Sequence, residues 1–220
     1  MKTVVFSDSH LCLPFEEKKF IFLKHIITQA DRVIINGDLW DAFNTDFRQF
    51  IDSPWKNLFP LLKEKNTVYI FGNHDKPAFN DKETNLFSDI QTSSFRLRLK
   101  DKIIVFEHGH SQSPGLREAR QPYGKTPKAI NIGMNMLEKM LVRRTRNRFH
   151  KKISSNLNRF IKRRIAMTLK NNEWFICGHT HAAEFDRKKR FINTGFVQHG
   201  LGQYLLIDNN DLNLKEEWYA

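Results

Sequence analysis

Asp, Asn and His recur in five short blocks: Asp8-Ser9-His10, Gly37-Asp38-Leu39-Trp40-Asp41, Gly72-Asn73-His74-Asp75, His108-Gly109-His110 and Gly178-His179-Thr180-His181. Carboxylate, amide oxygen and imidazole groups suit divalent Mn, Fe, Zn or related ions. Seven ligands drawn from all five blocks suffice for two ions that share one bridging carboxylate. Two ions about 3.5–4 Å apart clamp an in-line displacement at phosphorus. They lower the pKa of a shared water, so that hydroxide exists near neutral pH, and they neutralise charge on the phosphoryl oxygens. That division of labour explains why no nucleophilic Ser or Cys motif is needed.

Such a cluster requires elements that deliver five distant blocks to one place. Each block follows a short apolar run: Thr3 to Phe6, Arg32 to Ile35, Thr67 to Phe71, Lys102 to Phe106 and Trp174 to Cys177. Short β-branched and aromatic runs that stop at Gly, Asn, Asp or Ser predict strands giving way to loops. Loops beyond the carboxyl ends of neighbouring strands meet in one crevice. Phe20, Leu23, Ile27 and Ala30 recur at helical spacing, and Phe43 to Lys65 reads as helix divided by Pro54 and Pro60. Ser94 to Leu99 and Lys102 to Phe106 flank Lys100-Asp101 as a hairpin. Arg190 to Asn193, Gln203 to Ile207 and Leu212 to Glu217 read as late strands, with Asn209-Asn210-Asp211 as a turn. Early strand–helix alternation followed by hairpins predicts α/β layers with mixed sheets.

The 220 residues suffice for one substantial core, and a mean hydropathy of -0.54 fits a soluble protein. No apolar run approaches the ~20 residues that span a bilayer. The first strand begins almost at once, leaving no room for a secretory signal, so the expected location is cytoplasmic. The two cysteines, Cys12 and Cys177, make no disulfide framework and are expected to be reduced. The net charge of +12 is unevenly placed. Residues 112–171 hold 16 Lys or Arg against two acids, Glu118 and Glu138, an excess of +14; the remainder carries -2. Ser111 to Pro127 reads as a loop. Ile130, Met134, Leu137 and Leu141 mark one helical face, and Phe149, Ile153, Leu157, Phe160, Ile161, Ile165 and Leu169 a second. The expected organisation is a core of 1–111 and 172–220 interrupted by a basic helical insertion, or cap, over 112–171.

Any one block alone is equally well a polar loop. Together and in this order, Asp-x-His, Gly-Asp-x-x-Asp, Gly-Asn-His-Asp, His and Gly-His-x-His resemble the calcineurin-like metallophosphoesterase family, over Asp8 to His181. The resemblance implies a four-layer α/β/β/α sandwich of two mixed sheets and a metal-dependent phosphoric ester or pyrophosphate hydrolase. It implies two divalent ions, with Mn expected and Fe or Zn as alternatives. Asp8, His10 and His181 would hold one ion; Asn73, His108 and His179 would hold the other; Asp38 would bridge them. His74 would stabilise the transition state or protonate the leaving oxygen, with Asp41 orienting its imidazole. His110 either lines the site or hydrogen-bonds within its loop. His199 is assigned a loop role, and His25 and His150 structural or surface roles.

The basic segment has two readings. Helices with an apolar stripe and a basic opposite face lie on anionic membranes; alternatively the stripes pack together and the cations receive an acidic substrate. Arg117, Arg120 and Lys125, nearest in sequence to His108, are the candidates for phosphate contacts. A basic helical insertion at this point resembles UDP-2,3-diacylglucosamine hydrolases, which cleave a pyrophosphate in lipid A synthesis to UMP and a lipid monophosphate at the membrane surface. That subgroup typically has Arg where His74 stands, Glu for Asp41 and Asp for His110, which leaves room for a different substrate. Two alternatives stay open: a nucleotide or nucleic-acid phosphodiesterase, since Lys and Arg clusters bind phosphate backbones, and a noncatalytic membrane or scaffold module on the same fold. No protein partner is identifiable from the sequence.

Overall fold

The computed structural model describes residues 1–80, 82–113 and 128–219, with backbone only for 128–135 and 147. The strands are β1 (Lys2–Phe6), β2 (Arg32–Asn36), β3 (Val68–Ile70), β4 (Ile90–Thr92), β5 (Phe95–Arg98), β6 (Ile103–Phe106), β7 (Glu173–Cys177), β8 (Glu184–Asp186), β9 (Phe191–Asn193), β10 (Val197–Gln198), β11 (Leu201–Asp208) and β12 (Asp211–Trp218). The α-helices are α1 (Glu17–Thr28), α2 (Phe47–Asp52), α3 (Phe59–Glu64), α4 (Lys128–Thr145) and α5 (Asn147–Ile165). A 3₁₀ turn over Pro54–Leu58 separates α2 from α3. Pro54 and Pro60 both stand at helix starts, where a missing N–H costs nothing. The start of α2 is fixed by a capping box between Asp46 and Gln49.

Two sheets form. In the first, β4, β3, β2 and β1 run parallel, and β11 joins β1 antiparallel, with β12 and the short β10 paired to β11. In the second, β6, β7 and β9 are parallel, with β5 and β8 antiparallel at the edges.

Alternation along the strands builds four layers, because successive side chains point to opposite faces. Val5, Ile34, Val68, Leu205 and Ile207 of the first sheet meet Ile104, Phe106, Ile176 and Ile192 of the second. Their neighbours Val4, Phe6, Val33, Ile35 and Tyr69 face the other way, onto Leu23, Ile26 and Ile27 of α1 and onto Trp55 and Leu62. On the far side Val105, Phe175, Cys177 and Phe191 pack on Ile161 and Ile165 of α5. Each such aliphatic side chain contributes about 1.5–3 kcal/mol through burial. The order is therefore helix, sheet, sheet, helix, the α/β/β/α sandwich expected. Among the described residues no helix is long and apolar enough to cross a membrane.

The face that α5 buries differs from its apolar stripe. Ile153 and Phe160 are exposed, whereas His150, Ser154 and Asn158 are buried together with Ile161 and Ile165. Asn158 is held by hydrogen bonds: its Nδ2 donates to Ala182 O at 2.9 Å, and Thr180 Oγ1 donates to its Oδ1 at 2.8 Å. The helix thus grips the loop after β7 as well as covering its sheet.

Candidate metal centre

The parallel strands β1, β2, β3, β6 and β7 all end at one rim of the sandwich, and the five blocks follow them there. Several bonds fix the two sheets to each other at this rim. Asn36 Nδ2 donates to Ile176 O at 3.2 Å, Ser7 Oγ lies 2.8 Å from Thr194 Oγ1, and His179 N–H donates to Asp8 Oδ2 at 3.0 Å. The chain turns sharply as it leaves each strand. Asp8, His10, Asp38, His179 and His181 all have positive φ, between 44° and 68°. Non-glycine residues visit that region at a cost, and they cluster there at functional sites. Gly37 also has positive φ, and a Cβ at this position would overlap the His108 ring.

The donor atoms converge closely. His181 Nε2 is 3.2 Å from Asp8 Oδ1, and His10 Nε2 is 3.9 Å from Asp8 Oδ1 and 3.7 Å from Asp38 Oδ2. His108 Nε2 is 3.2 Å from Asp38 Oδ2 and 3.1 Å from Asn73 Oδ1, which in turn lies 2.8 Å from His179 Nδ1. Because a carbonyl can only accept, the contact of His108 Nδ1 with Asn36 O at 2.9 Å puts a proton on Nδ1 and turns Nε2 toward Asp38. Asp8 and Asp38 are almost wholly buried, and His10 Nε2 is buried without a hydrogen bond. Oxygen and nitrogen ligands bound at about 2.0–2.2 Å to one ion lie roughly 3–3.6 Å apart, so these residues fit divalent metal. Asp8 with His10 and His181, and Asp8 with Asp38 and His108, each offer ligand atoms within 4.8 Å of one another.

Electrostatics follow from burial opposed by pairing. Burial alone would raise both carboxylates, but His108 and His181 hold Asp8 at about 2, and His108 and His74 hold Asp38 well below its usual range. Burial would lower His108 and His181, yet facing carboxylates push each up to about 10. His10 falls to about 4 and His179 to about 3, mainly through burial, with help from His74 and His108 respectively.

Beside the cluster, His74 Nδ1 lies 2.9 Å from Asp41 Oδ1, and its ring packs edge-on against His10 and Phe43. The carboxylate can only accept, so the imidazole proton sits on Nδ1. His110 lies with its ring 5.5 Å from that of His108 and 6.3 Å from that of His179. His25 is on the surface beside Gln29. Arg117, Arg120 and Lys125 lie outside the described residues.

Three contributors carry no assignment in the sequence analysis. Asp75 is fully buried and accepts from Gly72 N–H at 2.6 Å, Leu39 N–H at 2.7 Å and Asp38 N–H at 3.1 Å, so it joins the two loops that carry Asp38 and Asn73. Burial and the charge of Asp38 raise it to about 7 despite those donors. Its place in Gly-Asn-His-Asp was the available signal. Asn158 fixes the Gly-His-Thr-His loop from α5, and Glu138 of α4 approaches His181, His150 and His199; neither has a local sequence cue.

Residues 1–208 match the family model of the calcineurin-like phosphoesterase superfamily domain. The chain belongs to this superfamily. No curated protein matches its sequence. Among solved structures, this calcineurin-like phosphoesterase is similar to Yfce, a phosphoesterase from E. coli, at 17% identity over 100% of both chains with a TM-score of 0.49. It is also similar to an archaeal phosphodiesterase (16% identity, 99% of each chain, TM-score 0.49) and to Vps29 from Entamoeba histolytica complexed with Zn²⁺ (13%, 100% of each chain, 0.48).

Proposed function

We propose that this chain hydrolyses a phosphodiester or pyrophosphate using two divalent ions, with Asp8, His10 and His181 holding one, Asn73, His108 and His179 the other, and Asp38 shared. The observation that carries the reading is the convergence of two buried carboxylates, one amide oxygen and four imidazoles at ligand-to-ligand spacing. When bound, a pair of divalent ions supplies water activation and charge neutralisation at phosphorus. The chain's own residues do the rest. Asp38 sits between the two sets of imidazoles. Asp41 accepts from His74 Nδ1 and favours the imidazolium, in which Nε2 also carries a proton and gives it to the leaving oxygen, leaving the neutral ring protonated on Nδ1. Asp75 keeps the loops of Asp38 and Asn73 in register.

For the substrate, the proposal is UDP-2,3-diacylglucosamine, cleaved to UMP and a lipid monophosphate at an anionic membrane surface, with residues 112–171 as the recognition element and Arg117, Arg120 and Lys125 on the phosphates. Exposed Met136, Leu137, Met140 and Ile153 interleave with Arg143, Arg144, Lys151 and Lys152 on α4 and α5. Apolar side chains among cations suit a lipid interface better than a polynucleotide, which would call for stacked aromatics.

The test is release of UMP from UDP-2,3-diacylglucosamine by Mn-loaded protein, with Asp38→Ala as control. Release by the parent and at least a hundredfold less by the variant is the expected result. Near-parental turnover in a folded Asp38→Ala protein would overturn the shared-carboxylate assignment. No release by folded, metal-loaded parent would remove this substrate and direct the search to nucleotide and nucleic-acid diesters.

A further inference from the structure

The acidic side chain of Glu138 is one of only two in the basic segment, yet it faces inward. Glu138 and Val142 stand four residues apart on one face of α4. Val142 is buried with Phe196 and Leu201, which fastens that face of the helix over the β10–β11 turn. Three imidazoles surround the carboxylate. His150 Nε2, from α5, lies 3.3 Å from Oε1; His199 Nε2, from the turn, lies 3.7 Å from Oε2; His181 Nδ1 lies 3.8 Å from Oε1. Glu138, His150 and His181 offer ligand atoms all within 4.8 Å of one another.

The imidazoles lie within charge-pairing reach of Glu138, but their angles are poor for hydrogen bonding. His150 is 4% exposed, and the Nε2 atoms of both His150 and His199 are buried without hydrogen-bond geometry to any partner. They approach separate oxygens of one carboxylate at spacings close to the roughly 3.3–3.6 Å that separates ligands of a single tetrahedral ion. A bidentate carboxylate flanked by one imidazole at each oxygen produces that pattern. His199 has positive φ (58°), as do Asp8, His10, Asp38, His179 and His181 at the rim. The Glu138 side chain is 28% exposed, which provides an entry path.

We propose that Glu138, His150 and His199 form a separate site for a divalent cation of the zinc type, which clasps α4 and α5 to the β10–β11 turn. Imidazole and carboxylate together select Zn²⁺ over Mg²⁺ or Ca²⁺. His181 borders this site through Nδ1 while its Nε2 faces Asp8. The site is distinct from the pair proposed above and stands or falls separately from it.

The experiment is zinc-edge anomalous diffraction from crystals of the full chain soaked in Zn²⁺, with bound zinc measured by mass spectrometry after gel filtration. An anomalous peak among Glu138, His150 and His199 is expected. About one zinc fewer per chain is expected in His150→Ala and in Glu138→Gln than in the parent. Peaks beside Asp38 with none at Glu138 would overturn the proposal while leaving the pair intact; a peak at Glu138 alone would do the reverse. Parental zinc content in both variants would also overturn it. Should a variant fail to fold, the map of the parent protein decides.

Discussion

At the scale of single residues, the site is a set of costly choices that compensate one another. Two carboxylates are buried, but each faces an imidazole, and the facing His108 and His181 hold an extra proton because the carboxylates are ionised. His108 and His181, at about 10, are protonated at pH 7.5. Since an imidazole must lose a proton to become a ligand, uptake of metal at that pH should release ~2 protons per chain. Calorimetry in buffers of different ionisation enthalpy measures this number, and zero net release would show that these two imidazoles do not become ligands. His10 and His179 add nothing to this number, because they are already neutral at pH 7.5 and have no proton to give. His74 is different in kind: its partner is Asp41, and its expected role is proton delivery. His74→Ala should lower turnover by about 10²–10⁴-fold with bound metal nearly unchanged. If metal loss accounts for the whole defect, His74 belongs among the ligands.

At the scale of elements, α5 separates apolar pattern from burial. Ile161 is fully buried against Val105 and Phe175, whereas Ile153 is 57% exposed. Ile161→Ala should cost about 2–5 kcal/mol in urea unfolding, and Ile153→Ala less than about 0.5 kcal/mol; equal costs would place the wrong face inward. The helical spacing of Phe149, Ile153 and Phe160 was legible in the sequence, but the buried face is marked by Asn158, whose partners lie on the distant loop after β7. The five strands that precede the metal-binding blocks were legible because each is a short apolar run that stops at Gly, Asn, Asp or Ser. Ile90–Thr92, Glu184–Asp186 and Val197–Gln198 were not: two or three residues, some charged, become strands only because a neighbouring strand offers its edge. The same reasoning separates the site residues. Asp8, Asp38 and His108 are announced by the strands before them. Glu138 and Asn158 sit in helices where a polar residue ordinarily faces water, and their roles exist only once the layers are stacked.

At the scale of the molecule, charge and layers divide the work. The first sheet with α1 to α3 is a conventional packed unit, while the second sheet is covered by α5, which carries seven Lys or Arg and no acid. If that side meets an anionic bilayer, the protein should co-sediment with phosphatidylglycerol vesicles and be released by salt. Lys151→Ala with Lys152→Ala should weaken binding by about 2 kcal/mol, roughly 30-fold. Indifference to salt or to both substitutions would remove the membrane from the account. The proposed ligands are themselves shared between the sheets: Asp8, His10, Asp38 and Asn73 follow strands of the first, and His108, His179 and His181 follow strands of the second. An ion held by both sets is therefore a hasp across the seam of the sandwich. It locks one end of the interface against sliding, while the opposite end has apolar packing and, between the β5–β6 and β11–β12 turns, the bond from Lys100 N–H to Asn210 Oδ1 at 3.2 Å. The protein should open like a book with a clasped edge, from the far end first, and extraction of metal should loosen the whole seam before it disturbs either sheet.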